Sequence, residues 1–377
     1  MRRRLAFVGF SMLLVTAVVM VASGAAPDAP RSVFKLMGVL GQVVSLVRGS
    51  YVDEVPVDRL ELGATTGLVE AADPGGAWVP DEAAADFEAV RARTLPPFGL
   101  VLGKRASYPF VLQVIDGSPA AAAGVTPGQL VERIGGELVR ARPLWRAQVL
   151  LGQAESGDGH VELNVVDARL EGERRVVLER GPVPPPQPTV ADHDGVPVLR
   201  VPMLSSAAVE AAEAALRSFA AAPALVVDLR GTALGTSTEA VRLAAVLTGG
   251  MVELRAQRRG SAGRTVRARG GERSWHVVAC IDPTTGHAAE VLALALRSHG
   301  AVLVGGETYG DTATRRPIAA DGGKVWLAEE WFATADGAAL LGEGVKPDEI
   351  VRGRAEGDSV LQRALEIARG ARPAKAA

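Results

Sequence analysis

The sequence predicts an α/β fold in three parts: N-terminal helices, a small β-rich domain, and a core built on a parallel sheet. The first observation behind this is the stretch 275–315, WHVVACIDPTTGHAAEVLALALRSHGAVLVGGETYGDTATR. There a β-branched run, a turn, a helically spaced run and a second apolar run follow one another. A strand, helix, strand unit of this length is a parallel crossover, with its crevice at the carboxyl ends of the strands. The second observation is the change near Pro97 to short strand-like runs separated by Gly and Pro, continuing to about Arg180. The third is a pair of helix-periodic segments, 31–50 and 57–72, ahead of that change.

With 377 residues, 48% hydrophobic and 22% charged, the chain can bury more than one core. A net charge of -2 gives no electrostatic ground for a nucleic-acid partner. The basic run RRGSAGRTVRARGGER lacks interleaved aromatic residues and is read as a solvated, glycine-rich loop. At the N-terminus a cationic MRRR precedes 18 uncharged, mostly apolar residues, Leu5 to Ala22, and the small residues ASGAA. Residues 1–26 therefore form a signal peptide or an uncleaved membrane anchor, and export to the periplasm or cell envelope is expected in either case. The single cysteine, Cys280, has no intrachain partner and is read as a small core residue. Five histidines, His160, His193, His276, His287 and His299, lack metal-ligand spacing, and neither a metal nor another cofactor is expected.

In chain order, residues 31–94 form a helical segment, its two helices separated by YVDEVP and stopped at DPGGAWVPDE. They pack on the next domain or serve as a dimerisation arm. Residues 95–181 form the β domain, with FGLVLG, FVLQVI, LVERIG, VELNVV and RRVVLER as strands and a helix near LWRAQVLLG. A stiff proline-rich linker, 182–189, follows. The core spans 190–355. VPVLRVPML is a strand, SSAAVEAAEAALRSFAAA a helix, ALVVDLRG a buried strand, and EAVRLAAVLTGGMVELRA the next helix and strand. Residues 356–377 hold a last helix, 358–370, and a tail.

The crevice of the 275–315 unit should be lined by Thr284, Thr285, Gly286 and His287 from its first turn and by Thr308, Tyr309, Gly310, Asp311 and Arg315 from its second. These turns resemble those of the carboxyl-terminal processing (tail-specific) serine peptidases, which carry a SASASE run and then a TFGKGxxQ run. Further matches are Asp73 and Pro74 to a DPHSxY motif, Asp228, Leu229, Arg230 and Gly235 to a DLRxNPGG run, and Gly344, Val345, Pro347 and Asp348 to a GIxPDxxV run. The segment GSPAAAAGVTPGQLVERIGGELV is similar to the corresponding run of PDZ domains, with Gln129 in place of the usual aspartate. The resemblance implies a Clp/crotonase-type peptidase core with an inserted PDZ-like domain.

In that family the middle serine is the nucleophile, the lysine its general base, and the glutamine supports the lysine. Aligned on Glu290 and on TYG, those positions hold His287, Asp311 and Arg315. Gly75 and Gly76 replace the HS pair, and Leu234 stands in the oxyanion run beside Gly235. The resemblance thus implies a member that has lost the family's reaction. Its PDZ-like groove would bind protein carboxyl termini by strand addition, as an adaptor, scaffold or decoy for an active relative or its substrates. The amides of Phe98, Gly99 and Leu100 would take the terminal carboxylate, and Leu144, Ala147, Gln148 and Leu151 would line the pocket. Three arrangements of the core crevice stay open. His287 and Asp311 form a structural ion pair or do not touch; or Thr285, His287 and Asp311 form an improvised triad in a working endopeptidase.

Overall fold

The computed structural model describes residues 29–167, 172–261, 263–272, 275–333, 340–351 and 357–370. The expected signal or anchor segment, 1–26, lies outside them, as does the end of the expected C-terminal tail. The chain divides into two units, residues 1–65 and 66–377. In the first, helix α1 spans Ala29–Ser50 and exposes Phe34, Met37 and Leu46. Its Val33–Ser50 stretch is long and apolar enough to cross a membrane. Helix α2 covers Val57–Ala72.

Two elements follow the DPGG stop within the second unit. Strand β1, Ala77–Pro80, is followed by helix α3, Asp81–Arg91. Asp81 and Glu82 sit at the positive end of α3, and Ala83, Ala84 and Phe87 form its buried stripe. A 3-10 turn, Pro97–Gly99, leads into β2, Leu100–Arg105, and β3, Tyr108–Val114. Then come a single helical turn α4, Pro119–Ala122, strands β4, Leu130–Ile134, and β5, Glu137–Leu138, and helix α5, Leu144–Ser156. Strands β6, His160–Val166, and β7, Arg174–Glu179, complete an antiparallel sheet of order β2-β3-β4-β6-β7, with β5 beside β4. Leu100, Val131, Leu151 and Leu163 lie in its core. Among the described residues strand β2 is an edge, paired only with β3.

The core begins at β8, Thr189–His193, which takes the last residue of the expected linker. The expected single strand VPVLRVPML is two strands, β9, Val196–Arg200, and β10, Met203–Leu204, because Pro202 has no amide to continue a ladder. Helix α6, Ser206–Leu216, β11, Ala224–Asp228, β12, Leu234–Gly235, helix α7, Ser237–Thr248, and β13, Met251–Arg258, follow. Within the expected basic loop lies a further strand, β14, Thr265–Arg269. Val266 and Ala268 turn inward while the arginines alternate outward, a pattern too short to stand out in the sequence.

Next are β15, His276–Ile281, helix α8, Ala288–Ser298, and β16, Val302–Gly305, the central crossover. Strands β17, Thr314–Ala320, and β18, Gly323–Phe332, form a hairpin, and β19, Glu349–Ile350, and helix α9, Ser359–Gly370, end the described chain. The main sheet has the order β19-β16-β15-β11-β9-β8. All its pairings are parallel except β8 with β9. Val277, Ala279 and Ile281 of β15 pack into the cluster that holds residues of α6, α7 and α8, while Val278 and Cys280 face α9. Burial on both faces explains the unbroken apolar run of this strand. Strand β18 carries a second sheet with β1, β13, β14 and β17.

Candidate functional site

The turns after β15 and β16 meet at Glu290 in the first turn of α8. The Glu290 side chain is fully buried. Its Oε1 accepts from the Thr308 hydroxyl at 2.5 Å and Gly310 N at 2.6 Å. Its Oε2 accepts from His287 N at 3.0 Å and Asp311 N at 2.9 Å. Burial pushes this carboxyl up to about 7 against the pull of those donors. Thr308 Oγ1 also accepts from Val345 N at 2.7 Å, which ties in the GVKPD run. The knot fixes where His287 and Asp311 lie relative to each other.

His287 precedes α8 with φ 49 and ψ -113, a conformation that a side chain resists. Its Nδ1 lies 3.1 Å from the Asp311 carbonyl oxygen and 3.7 Å from Oδ2. The ring meets Tyr309 edge-on, with centroids 5.7 Å apart. His287 and Asp311 are therefore neighbours, and the nearer polar contact of His287 is with the Asp311 backbone. The Asp311 carboxylate turns to Arg315, whose Nη1 is 2.9 and 2.8 Å from its two oxygens. On its other side Arg315 holds Asp73 through Nε at 2.9 Å and Nη2 at 2.7 Å. Asp73 accepts in addition from Gly75 N and Ala328 N. Burial alone would raise the Asp311 carboxyl, but His287 and Arg315 outweigh it and hold it below the usual range. Burial also works against the Arg315 guanidinium, and the two carboxylates more than compensate.

Thr285 stands apart from this group. Its side chain is fully buried, and its hydroxyl donates to Leu229 O at 3.2 Å and accepts from Asp282 N at 3.1 Å. Thr285 braces the turn, its hydroxyl faces the Leu229 strand end, and it makes no described hydrogen bond to His287 or Asp311. Thr284 has a similar part, bonding the Asp282 carboxylate at 2.5 Å and receiving Gly231 N at 2.8 Å. Gly286 N donates to Thr232 O. Asp228 and Arg230 anchor the strand end, and Arg230 reaches Asp358 before α9 at 2.8 and 2.6 Å. Lys104 lines a cavity that Asp311 also lines, and Glu70 holds its ammonium at 2.6 and 2.7 Å.

At the oxyanion run, Gln113 of β3 was not anticipated. Its Oε1 accepts from Ala233 N at 2.9 Å and Leu234 N at 3.1 Å, while its Nε2 donates to Pro202 O at 2.5 Å. Two amides of the run are occupied by the β domain. Gly235 keeps φ +127, and a β-carbon there would lie 2.6 Å from Leu204 Cβ.

In the β domain, Leu100, Gln148 and Leu151 line a cavity of about 240 Å³ between β2 and α5. Phe98 and Ala147 point into the domain core, and Leu144 packs at its margin. The three loop amides expected to be free have acceptors. Gly99 N and Leu100 N bond back to Pro96 O and Pro97 O within the turn. Phe98 N donates to Glu155 Oε1 at 2.6 Å. Glu155 Oε2 is in turn held by Arg93, whose Nη2 reaches Ser156 Oγ at 3.0 Å.

Residues 195–351 match peptidase family S41. The match lies in the core, from β9 to β19. The carboxy-terminal processing protease CtpA of Bacillus subtilis is 22% identical over 318 residues, 82% of this chain and 67% of the relative. A carboxy-terminal-processing protease of Bartonella bacilliformis is 21% identical over 364 residues, 93% and 83%. Among solved structures, a photosystem II D1 C-terminal processing protease shares the fold, with a TM-score of 0.64 at 22% identity over 81% of this chain and 86% of that one. Within the matched core, Glu290, Thr308, Gly310 and the GVKPD run all make backbone-fixing bonds.

Proposed function

We propose that this chain is a catalytically silent, exported homologue of the carboxyl-terminal processing peptidases. It binds protein carboxyl termini through the groove between β2 and α5, as an adaptor, scaffold or decoy for an active relative or its substrates. The observation that carries the loss of chemistry is Asp311. It occupies the position that the resemblance gives to the general base, and both of its carboxylate oxygens bond Arg315. A serine-type mechanism needs a base that can take a hydroxyl proton near neutral pH. A carboxyl held below its ordinary range by His287 and Arg315 is a poor one, and the nucleophile position carries an imidazole. Support for the groove is a cavity beside an edge strand whose lining includes Leu100, Leu102 and Leu151, the setting that strand addition uses. The apolar Leu5 to Ala22 stretch and the apolar Val33–Ser50 helix support export or anchoring.

The test incubates the purified chain with an unstructured protein that ends in apolar residues and follows intact mass. No cleavage is expected from the native chain. Cleavage is expected from the triple variant His287→Ser, Asp311→Lys, Arg315→Gln, in which the new lysine no longer faces a guanidinium. Cleavage by the native chain that disappears in His287→Ala overturns the reading.

A further inference from the structure

The Glu155 carboxylate is bound as a ligand would be. It comes from the last turn of α5, receives the Phe98 amide at 2.6 Å, and pairs its second oxygen with Arg93. Phe98 itself has φ 53, so the turn aims this amide by a backbone conformation that side chains rarely adopt. The other two turn amides are closed on their own carbonyls and are not available to a guest. One amide and one guanidinium therefore converge on a single carboxylate, at the mouth of the apolar cavity lined by Leu100, Leu102 and Leu151. A carboxylate beside an apolar cavity at a strand edge has the chemistry of a peptide's free C-terminus with an apolar last residue.

We infer that Arg93 and the Phe98 amide form the terminal-carboxylate site of the groove, and that Glu155 fills it as a tethered stand-in when no peptide is bound. This rests on the reading of the groove as a binder of carboxyl termini and adds the residues that recognise the terminus. An arriving peptide exchanges one carboxylate for another: Glu155 swings toward solvent, and Arg93 and the Phe98 amide keep a full set of partners throughout. The exchange leaves no buried charge unpaired, so it is reversible. It also makes recognition competitive, because the tethered carboxylate is always present at high local concentration. The native chain then binds weakly and admits only peptides whose apolar residue fills the cavity.

The experiment titrates the full chain into a short fluorescein-labelled peptide that ends in three apolar residues, as the free acid and as the C-terminal amide, and reads fluorescence anisotropy. Glu155→Ala and the nearly isosteric Glu155→Gln are expected to bind the free acid about ten-fold or more tightly than the native chain does. Binding of the amide should stay unchanged. Adding Arg93→Ala to Glu155→Ala should remove the preference for the acid. Circular dichroism melts establish that each variant is folded. Equal affinity of native chain and Glu155 variants for the acid overturns the stand-in while leaving the groove as a binder. Absence of binding by every folded variant overturns both.

Discussion

Gly75 is the space that Arg315 occupies: a β-carbon built on this glycine would overlap the guanidinium and stand 2.7 Å from Asp311 Oδ2. The absence of a side chain at Gly75 is thus what lets Arg315 lie between Asp73 and Asp311. Gly75→Ser is expected to destabilise the native chain by about 2 kcal/mol through overpacking. In an Arg315→Gln background the same substitution should cost much less, and urea unfolding of the four chains of the cycle measures the coupling.

Arg315 neutralises two buried carboxylates, so its loss strands both. Arg315→Gln is expected to cost about 3 to 5 kcal/mol, the range for breaking a buried ion pair from one side. Because Asp73 and Asp311 then repel, Arg315→Gln combined with Asp311→Asn should recover part of the loss. A thermal melt in which the single variant matches the native chain would contradict the described geometry.

Glu290 gives the chain a pH dependence of a particular sign. Its ordinary value is 4.5 and burial pushes it up to about 7 in the folded chain. Between these values the folded state holds more protons than the unfolded one, so stability that is present below about 4.5 declines as the pH rises through 7. The full difference is on the order of 3 kcal/mol. Asp311 acts in a different window. Its carboxyl is depressed, so its contribution is present above the unfolded value of 3.8 and is lost as the pH falls below it. Urea midpoints should therefore peak near pH 5, and Glu290→Gln should flatten the decline on the neutral side while lowering stability throughout.

Gln113→Ala removes the acceptor shared by two core amides. Each unmet buried group costs about 1 to 3 kcal/mol, so a clear loss of stability is expected. The more specific readout is hydrogen exchange, which should speed up at Ala233 and Leu234 while the protection of β15 is retained.

Gly99 is a poor place to test peptide binding. Its φ is +74 and any β-carbon would strike Ser118, so a charge introduced there reads out folding and not the groove. The variants at Glu155 and Arg93 touch only side chains and avoid this confusion.

The crossover was legible because β15 is apolar on both faces and α8 repeats at helical spacing, signals that act within a few residues of one another. The strand Thr265–Arg269 was hidden because only Val266 and Ala268 face inward among arginines. Helix Asp81–Arg91 was hidden behind prolines and glycines that read as a stop. At the site, the positions of His287, Asp311 and Arg315 followed from motif spacing, yet their partners did not. Asp73 lies 242 residues from Arg315, and Glu155 lies 57 from Phe98. Partnerships at such separations leave no periodic trace in a single sequence. Asp311 and Arg315 do carry a trace in chemistry: they are opposite charges four residues apart, and the fold realises that pairing.

Tyr309 has a consequence for the groove although it belongs to the other domain. Its hydroxyl accepts Lys104 N at 2.9 Å, and its ring lies so close to β2 that a β-carbon on Gly103 would be 2.9 Å from Tyr309 Cζ. A guest strand that enters at Leu100 therefore runs out of free edge at Gly103. The tail would be read by its final few residues alone, which favours many clients over one. Long bare edges invite self-association, and here a single phenol trims the edge to a stub.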